Sequence, residues 1–150
     1  MTYSLKAYYK HEHTDGGVLV TSTADVDALV EAMLAEPFEN SVATLYIQQR
    51  PRNDRGYPDH ELRVGLYPEG KVGSLRYVGK VDGETGAWYA VGRQSQRDEV
   101  FYYYTGHDEG YPQDSELPIQ DIRGAIKDFL ENGGGRPAAL NWAEWPAHVG

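Results

Sequence analysis

The chain has 150 residues, 23 acidic and 14 basic, a net charge of −9 and no cysteine. That length suits one domain over residues 1–150, and the missing cysteines exclude disulfides, a cysteine nucleophile and thiolate metal sites. The acidic balance argues against direct nucleic-acid binding, which draws on basic residues to displace counterions. No apolar run reaches the roughly 18–20 residues of a membrane span. Residues 1–10 lack the basic, apolar and small-residue pattern of a signal peptide, so the expected compartment is the cytoplasm.

Residues 3–9 alternate as a tyrosine-rich strand, and Asp15-Gly16-Gly17 turns into a short strand at 18–20. Ser22 and Thr23 are good helix caps, with Asp25 in the first turn. Val26, Leu29, Val30, Met33 and Leu34 then make one apolar stripe, which predicts a helix over about 24–36, ended by Pro37. Residues 42–48 read as a buried strand, and 50–59 as a punctuated polar loop. Strands follow at 61–67, 72–78, 87–91 and 100–104, with a hairpin turn at 82–86 and a long loop at 105–116. Their short spacing forces antiparallel neighbours. Pro118 opens a second helix over 118–131, striped by Ile119, Ile122, Ala125, Ile126, Phe129 and Leu130 and stopped at Asn132-Gly133-Gly134-Gly135. A last strand is expected at 138–142.

Two one-striped helices need a shared apolar surface, and a sheet face supplies it. The expected fold is α+β: a single domain with a mainly antiparallel sheet of five or more strands and both helices on one face. Val30, Leu34, Ile122, Ile126 and Phe129 should meet there.

Charge is unevenly spread. Residues 50–81 carry 4 acids and 7 bases, whereas residues 82–121 carry 9 acids and 2 bases mixed with Trp88, Tyr89, Phe101, Tyr102, Tyr103, Tyr104 and Tyr111. A second acidic block lies at 12–39. Such runs are usually solvated surface, but acid mixed with tyrosine also suits a basic protein partner.

The search for chemistry returns few candidates. His11-Glu12-His13 with Asp15 could bring two imidazoles to one side for a metal, yet histidines beside a turn are more often plain polar residues. His107-Asp108-Glu109 offers an acid, a base and a ligand in one loop, without a second cluster to complete a site. No serine sits in a nucleophile elbow, and neither Glu69-Gly70-Lys71 nor Gly133-Gly134-Gly135 has phosphate-loop spacing. No catalytic residue, metal or cofactor is assigned. The residues alone describe an acidic α+β binding module. The rival is a small-ligand or enzymatic domain using the tyrosine-rich sheet and His107.

Four stretches resemble immunity protein family one of bacterial polymorphic toxin systems. They are Leu62–Tyr77, Gly86-Ala-Trp-Tyr-Ala-Val-Gly92, the helix from Leu117, and Gly134-Gly-Arg-Pro-Ala-Ala-Leu-Asn-Trp142. The resemblance runs over about residues 60–145. It implies a cytosolic, non-enzymatic α+β antidote to a cognate toxin, often one of the nucleic-acid deaminase fold, and hence a partner with a basic cleft. Arg136, Pro137 and Trp142 look like fold determinants, with Trp142 a core anchor. Discrimination among toxins belongs in loops, so the expected toxin-binding residues are Asp82, Glu84, Asp108, Glu109, Tyr111, Asp114 and Glu116.

Overall fold

The computed structural model describes residues 2–147. In chain order it contains β1 (Leu5–Tyr8), β2 (Val18–Val20), α1 (Thr23–Leu34), β3 (Val42–Ile47), β4 (Glu61–Tyr67), β5 (Val72–Val81), β6 (Glu84–Ala90), β7 (Val100–Tyr104), β8 (His107–Tyr111), β9 (Leu117–Pro118), α2 (Ile119–Glu131) and β10 (Trp142–Glu144). Single 3-10 turns cover His11–His13 and Phe38–Asn40. No helix among the described residues is long and apolar enough to cross a membrane.

Eight strands form one antiparallel sheet in the order β10-β6-β5-β4-β3-β1-β2, with β9 pairing the start of β5. Both helices lie on one face, as the stripes require. Val26, Leu29, Val30 and Met33 of α1 and Ile122, Ala125, Ile126, Phe129 and Leu130 of α2 are buried. They pack with Leu5, Leu45, Ile47, Leu62, Val64, Leu66, Leu75 and Tyr77 into the principal core. Leu34, at the end of its stripe, is only partly buried. Each fully buried Leu, Ile or Phe contributes roughly 1.5–3 kcal/mol by leaving water. Above the core, Arg123 and Lys127 of α2 reach across to Asp27 of α1 at 3.1 Å each.

The helix ends follow the local chemistry. Ser22 Oγ accepts the Asp25 N–H at 3.2 Å, and the Asp25 carboxylate accepts the Thr21 N–H and hydroxyl at 3.0 Å, a reciprocal cap on α1. At the end of α2 the Gly134 N–H reaches Phe129 O at 2.9 Å and the Gly133 N–H reaches Leu130 O at 3.4 Å. This paired closure is the Schellman pattern. It needs the left-handed backbone of Gly133 (φ 77°) and Gly134 (φ 99°), which glycine adopts without a steric penalty.

The motif continues as a lock. Tyr77 Oη donates to Gly134 O at 2.8 Å, Trp142 Nε1 donates to Pro137 O at 2.7 Å, and the Arg136 guanidinium lies 5.2 Å from Trp88 and 5.7 Å from Trp142. Trp142 is therefore a partly buried bracket against the core rather than a wholly enclosed anchor.

Three sequence expectations shift. Residues 105–116 are not one long loop: Thr105-Gly106 is a two-residue turn, and His107–Tyr111 returns along β7 as β8. Nor does β7 belong to the main sheet, because β7 and β8 form a separate hairpin. That hairpin crosses the face opposite the helices. The last strand starts at Trp142 instead of Ala138.

The hairpin packs directly over Gly65, where an added Cβ would lie 2.6 Å from the Tyr102 ring. A side chain there would lift β7 off the sheet. Val42, Val100, Tyr102 and Tyr111 form a second core beneath the hairpin, edged by Phe38, Tyr67, Tyr104 and Trp145.

Candidate functional site

The seven expected contact residues fall into three settings. Asp82, Glu84 and Asp108 are exposed. Asp82 heads a two-residue turn with Gly83, since Val81 pairs with Glu84 and both turn residues have positive φ (51° and 84°). This is the preferred hairpin geometry for Asp-Gly. Asp108 sits on β8 opposite Tyr103.

Glu109 and Asp114 are half-buried and committed. Glu109 pairs with Arg63, and Asp114 accepts the Tyr89 hydroxyl at 2.8 Å. Burial pushes the Glu109 carboxyl above its ordinary range, partly offset by Arg63. Tyr111 and Glu116 are buried. Tyr111, 5% exposed, stands edge-on to Tyr102 at 5.3 Å and Trp145 at 5.1 Å. Burial holds its phenol far above the usual value.

Glu116, 4% exposed, accepts from Ser95 Oγ at 2.9 Å and Arg97 Nε at 3.0 Å. Arg97 lies over the Tyr67 ring at 3.9 Å and reaches Tyr102 Oη at 3.3 Å. Tyr102 Oη also meets Ser74 Oγ at 2.7 Å, and Ser74 meets Ser115 Oγ at 2.9 Å. These residues form the polar seam that fixes the hairpin to the sheet. Showing Tyr111 or Glu116 to a partner would require opening that seam.

The hairpin covers only part of its face. Beyond it lies an open area of β1, β3, β4, β5 and β6, walled by the 50–60 loop. Two adjoining depressions mark it, of about 160 and 690 Å³, sharing Tyr46, Pro58 and His60. On their floor Tyr46 donates to Glu61 at 2.6 Å, and Arg63 Nε binds Glu61 at 2.8 Å while its far end holds Glu109. Burial disfavours the Arg63 charge, yet Glu61 and Glu109 keep that guanidinium above its ordinary value. Burial and the Glu61 carboxylate raise the Tyr46 phenol as well. At the rim His60 Nε2 accepts the Ile47 N–H at 2.8 Å, which places the ring proton on Nδ1, 2.9 Å from Asp59.

Catalytic and metal candidates do not converge. His11 is exposed, whereas His13 is buried with Nδ1 accepting the Tyr9 N–H at 3.1 Å. The pair sits on a 3-10 turn rather than a strand, so the ring two residues on does not share its side. Among the described residues no group of three or more metal-binding side chains is assembled. His107 is exposed beside the Thr105-Gly106 turn, and neither depression includes it or Glu109.

The sequence reading passed over the basic rim and the buried role of Glu116. The net-positive block at 50–81 was the available signal for the first. The second depends on Arg97, 19 residues away, and carries no local signature.

The sheet is thus backed by helices on one face and presents a polar, aromatic surface on the other. The family model of immunity protein Imm1 matches residues 14–144. The chain therefore belongs to the Imm1 immunity protein family, and its role is that of an immunity protein with a toxin as partner. No curated protein matches the chain.

Proposed function

We propose that the protein neutralises a cognate toxin in the cytoplasm by binding it as a folded, non-catalytic cap over the toxin's active-site cleft. The family match over residues 14–144 carries this reading. The toxin is one with a basic nucleic-acid-binding cleft, such as a nucleic-acid deaminase. Charge supports that choice: the protein carries −9 overall, and Asp82, Glu84 and Asp108 stand in water on two hairpins. Opposite charge speeds encounter and aligns docking. Neither protein is covalently changed.

Of the seven expected contact residues, these three make first contact. Glu109 follows Asp108 on β8, Asp114 is held by Tyr89 toward the other end of β6 from Glu84, and Tyr111 and Glu116 hold the hairpin in shape. The test is co-expression with the toxin encoded beside the gene, together with stopped-flow binding. Asp82→Lys, Glu84→Lys and Asp108→Lys combined should slow association about tenfold and weaken its salt dependence. Unchanged association and unchanged protection would move the interface elsewhere, first to the acidic block at 12–39.

A further inference from the structure

The open half of the hairpin face has the opposite charge to the rest of the molecule. Its two depressions are lined by five cations, Lys6, Arg50, Arg52, Arg63 and Arg76, against two carboxylates. Both carboxylates are already engaged: Asp59 by Arg50 at 3.1 Å and His60 at 2.9 Å, Glu61 by Tyr46 at 2.6 Å and Arg63 at 2.8 Å. Three of the cations, Lys6, Arg52 and Arg76, make no ion pair with a carboxylate among the described residues, Arg76 acting on Glu109 only from a distance. Arg76 lies over the Trp145 ring at 4.5 Å, and its buried Nε has no hydrogen-bond acceptor.

Apolar surface flanks this charge. The large hydrophobic side chains most open to water are Leu19, 53% exposed, and Tyr57, 62% exposed. Leu19 pairs with Lys6 across β1 and β2 and so shares its face, and Tyr57 lines the larger depression. Arginine and tyrosine around a desolvated centre are the residues that carry most binding energy in protein interfaces.

We propose that this half-face is a second docking surface for the toxin and receives an acidic segment of it. Toxin carboxylates pair with Arg52 and Arg76, in the bidentate geometry that guanidinium groups favour, and an apolar toxin side chain packs against Tyr57. The inference rests on the immunity reading above and adds a contact of opposite sign. A protein segment fits better than nucleic acid. A duplex brings about one negative charge per 1.7 Å of axis and would meet the whole −9 of the chain, whereas a short acidic stretch meets only the local cations. The toxin then offers a basic cleft to the hairpin tips and an acidic segment to the groove.

The sign of the charge effect makes the test sharp. Lys6→Glu with Arg52→Glu adds negative charge at two side chains that hold no core contact. If the toxin were read only as basic, this double variant would bind it more tightly. The groove predicts at least tenfold weaker binding, with thermal unfolding unchanged. Arg76→Gln should weaken binding in the same direction. A ten-residue Glu-Asp peptide should shift the amide resonances of Tyr46 and Arg63 in the protein, and a single-stranded DNA of ten nucleotides should not.

Wild-type or tighter toxin binding by the double variant would overturn the proposal, as would stronger binding of the oligonucleotide than of the peptide. If wild-type protein neither binds nor protects against the toxin, the immunity reading fails and this inference falls with it. If wild-type and double variant protect and bind alike, only the groove assignment falls.

Discussion

The two faces of the sheet are built on different principles. On the helix side, Leu45, Leu62, Leu75, Ile122, Ile126 and Phe129 meet with almost no polar atoms between them. On the hairpin side, Tyr102 is tied down through its hydroxyl and Tyr111 by edge-on ring contacts, with Glu116, Arg97, Ser74 and Ser115 threaded beside them. Hydrophobic packing is tolerant and non-directional. A hydrogen-bonded aromatic seam holds one arrangement and loses much when any partner is removed. The first face therefore holds the domain together, and the second fixes the shape of the surface proposed above to dock the toxin.

The contrast can be broken from either side. Phe129→Ala empties a fully buried site on the helix face and should cost about 3–5 kcal/mol, measured by urea unfolding, with the unfolding still cooperative. Glu116→Ala should cost about 3 kcal/mol, because it leaves Arg97 unpaired in a largely buried setting. Near-UV circular dichroism should report lost tyrosine packing there while the helical signal stays. A stable Glu116→Ala protein with selectively impaired toxin binding would instead make Glu116 a contact residue. Gly65→Ala drives a methyl group into Tyr102 and should cost about 1–3 kcal/mol. Hydrogen exchange should rise in β7 and β8 and not in α2. Equal loss on both faces would show that they do not separate.

Acid should weaken the helix-side core through two histidines, His13 edge-on to Tyr9 and His60 beside Phe129. Burial, reinforced by Lys10 for His13 and by Arg50 for His60, holds each ring below its ordinary value. Each is neutral because a ring nitrogen accepts a backbone N–H. A lowered folded value means the unfolded chain takes up protons first, so this stability is present above about pH 6.5 and drains away as pH falls toward the folded values. The urea midpoint should fall between about pH 7 and 5.5, and His60→Gln, which keeps an acceptor, should flatten part of that slope.

The smallest effect should be a gain. Thr105 is β-branched yet sits at φ 46° in the β7–β8 turn. Thr105→Asn should raise stability by up to about 1 kcal/mol, read as a higher melting temperature with toxin affinity unchanged.

These same residues explain what was legible in the sequence. The stripe Ile122, Ile126, Phe129 located α2 because helical period and burial coincide on that face. The β7–β8 hairpin was hidden because Thr-Gly is a poor turn signature and His107-Asp108-Glu109-Gly110 shows no alternation of apolar and polar residues. Tyr111 and Glu116 read as surface because each looks polar in its local stretch. Their partners, Trp145 and Arg97, lie far away in sequence. Local pattern reveals a tolerant core, and it conceals a seam assembled from distant polar residues.

One short strand has a consequence in time. β10 sets Trp142 against the helix-side core, and Trp145, just beyond it, lies under the Arg76 guanidinium and edge-on to Tyr89 and Tyr111 on the hairpin side. A ribosome makes residues 142–145 after every element they brace, and chains fold as they emerge. Until then the edge of β6 is unpaired and both faces lack a wall. Docking of β10 is therefore a late step of folding, and fraying of this one short strand would loosen both faces at once.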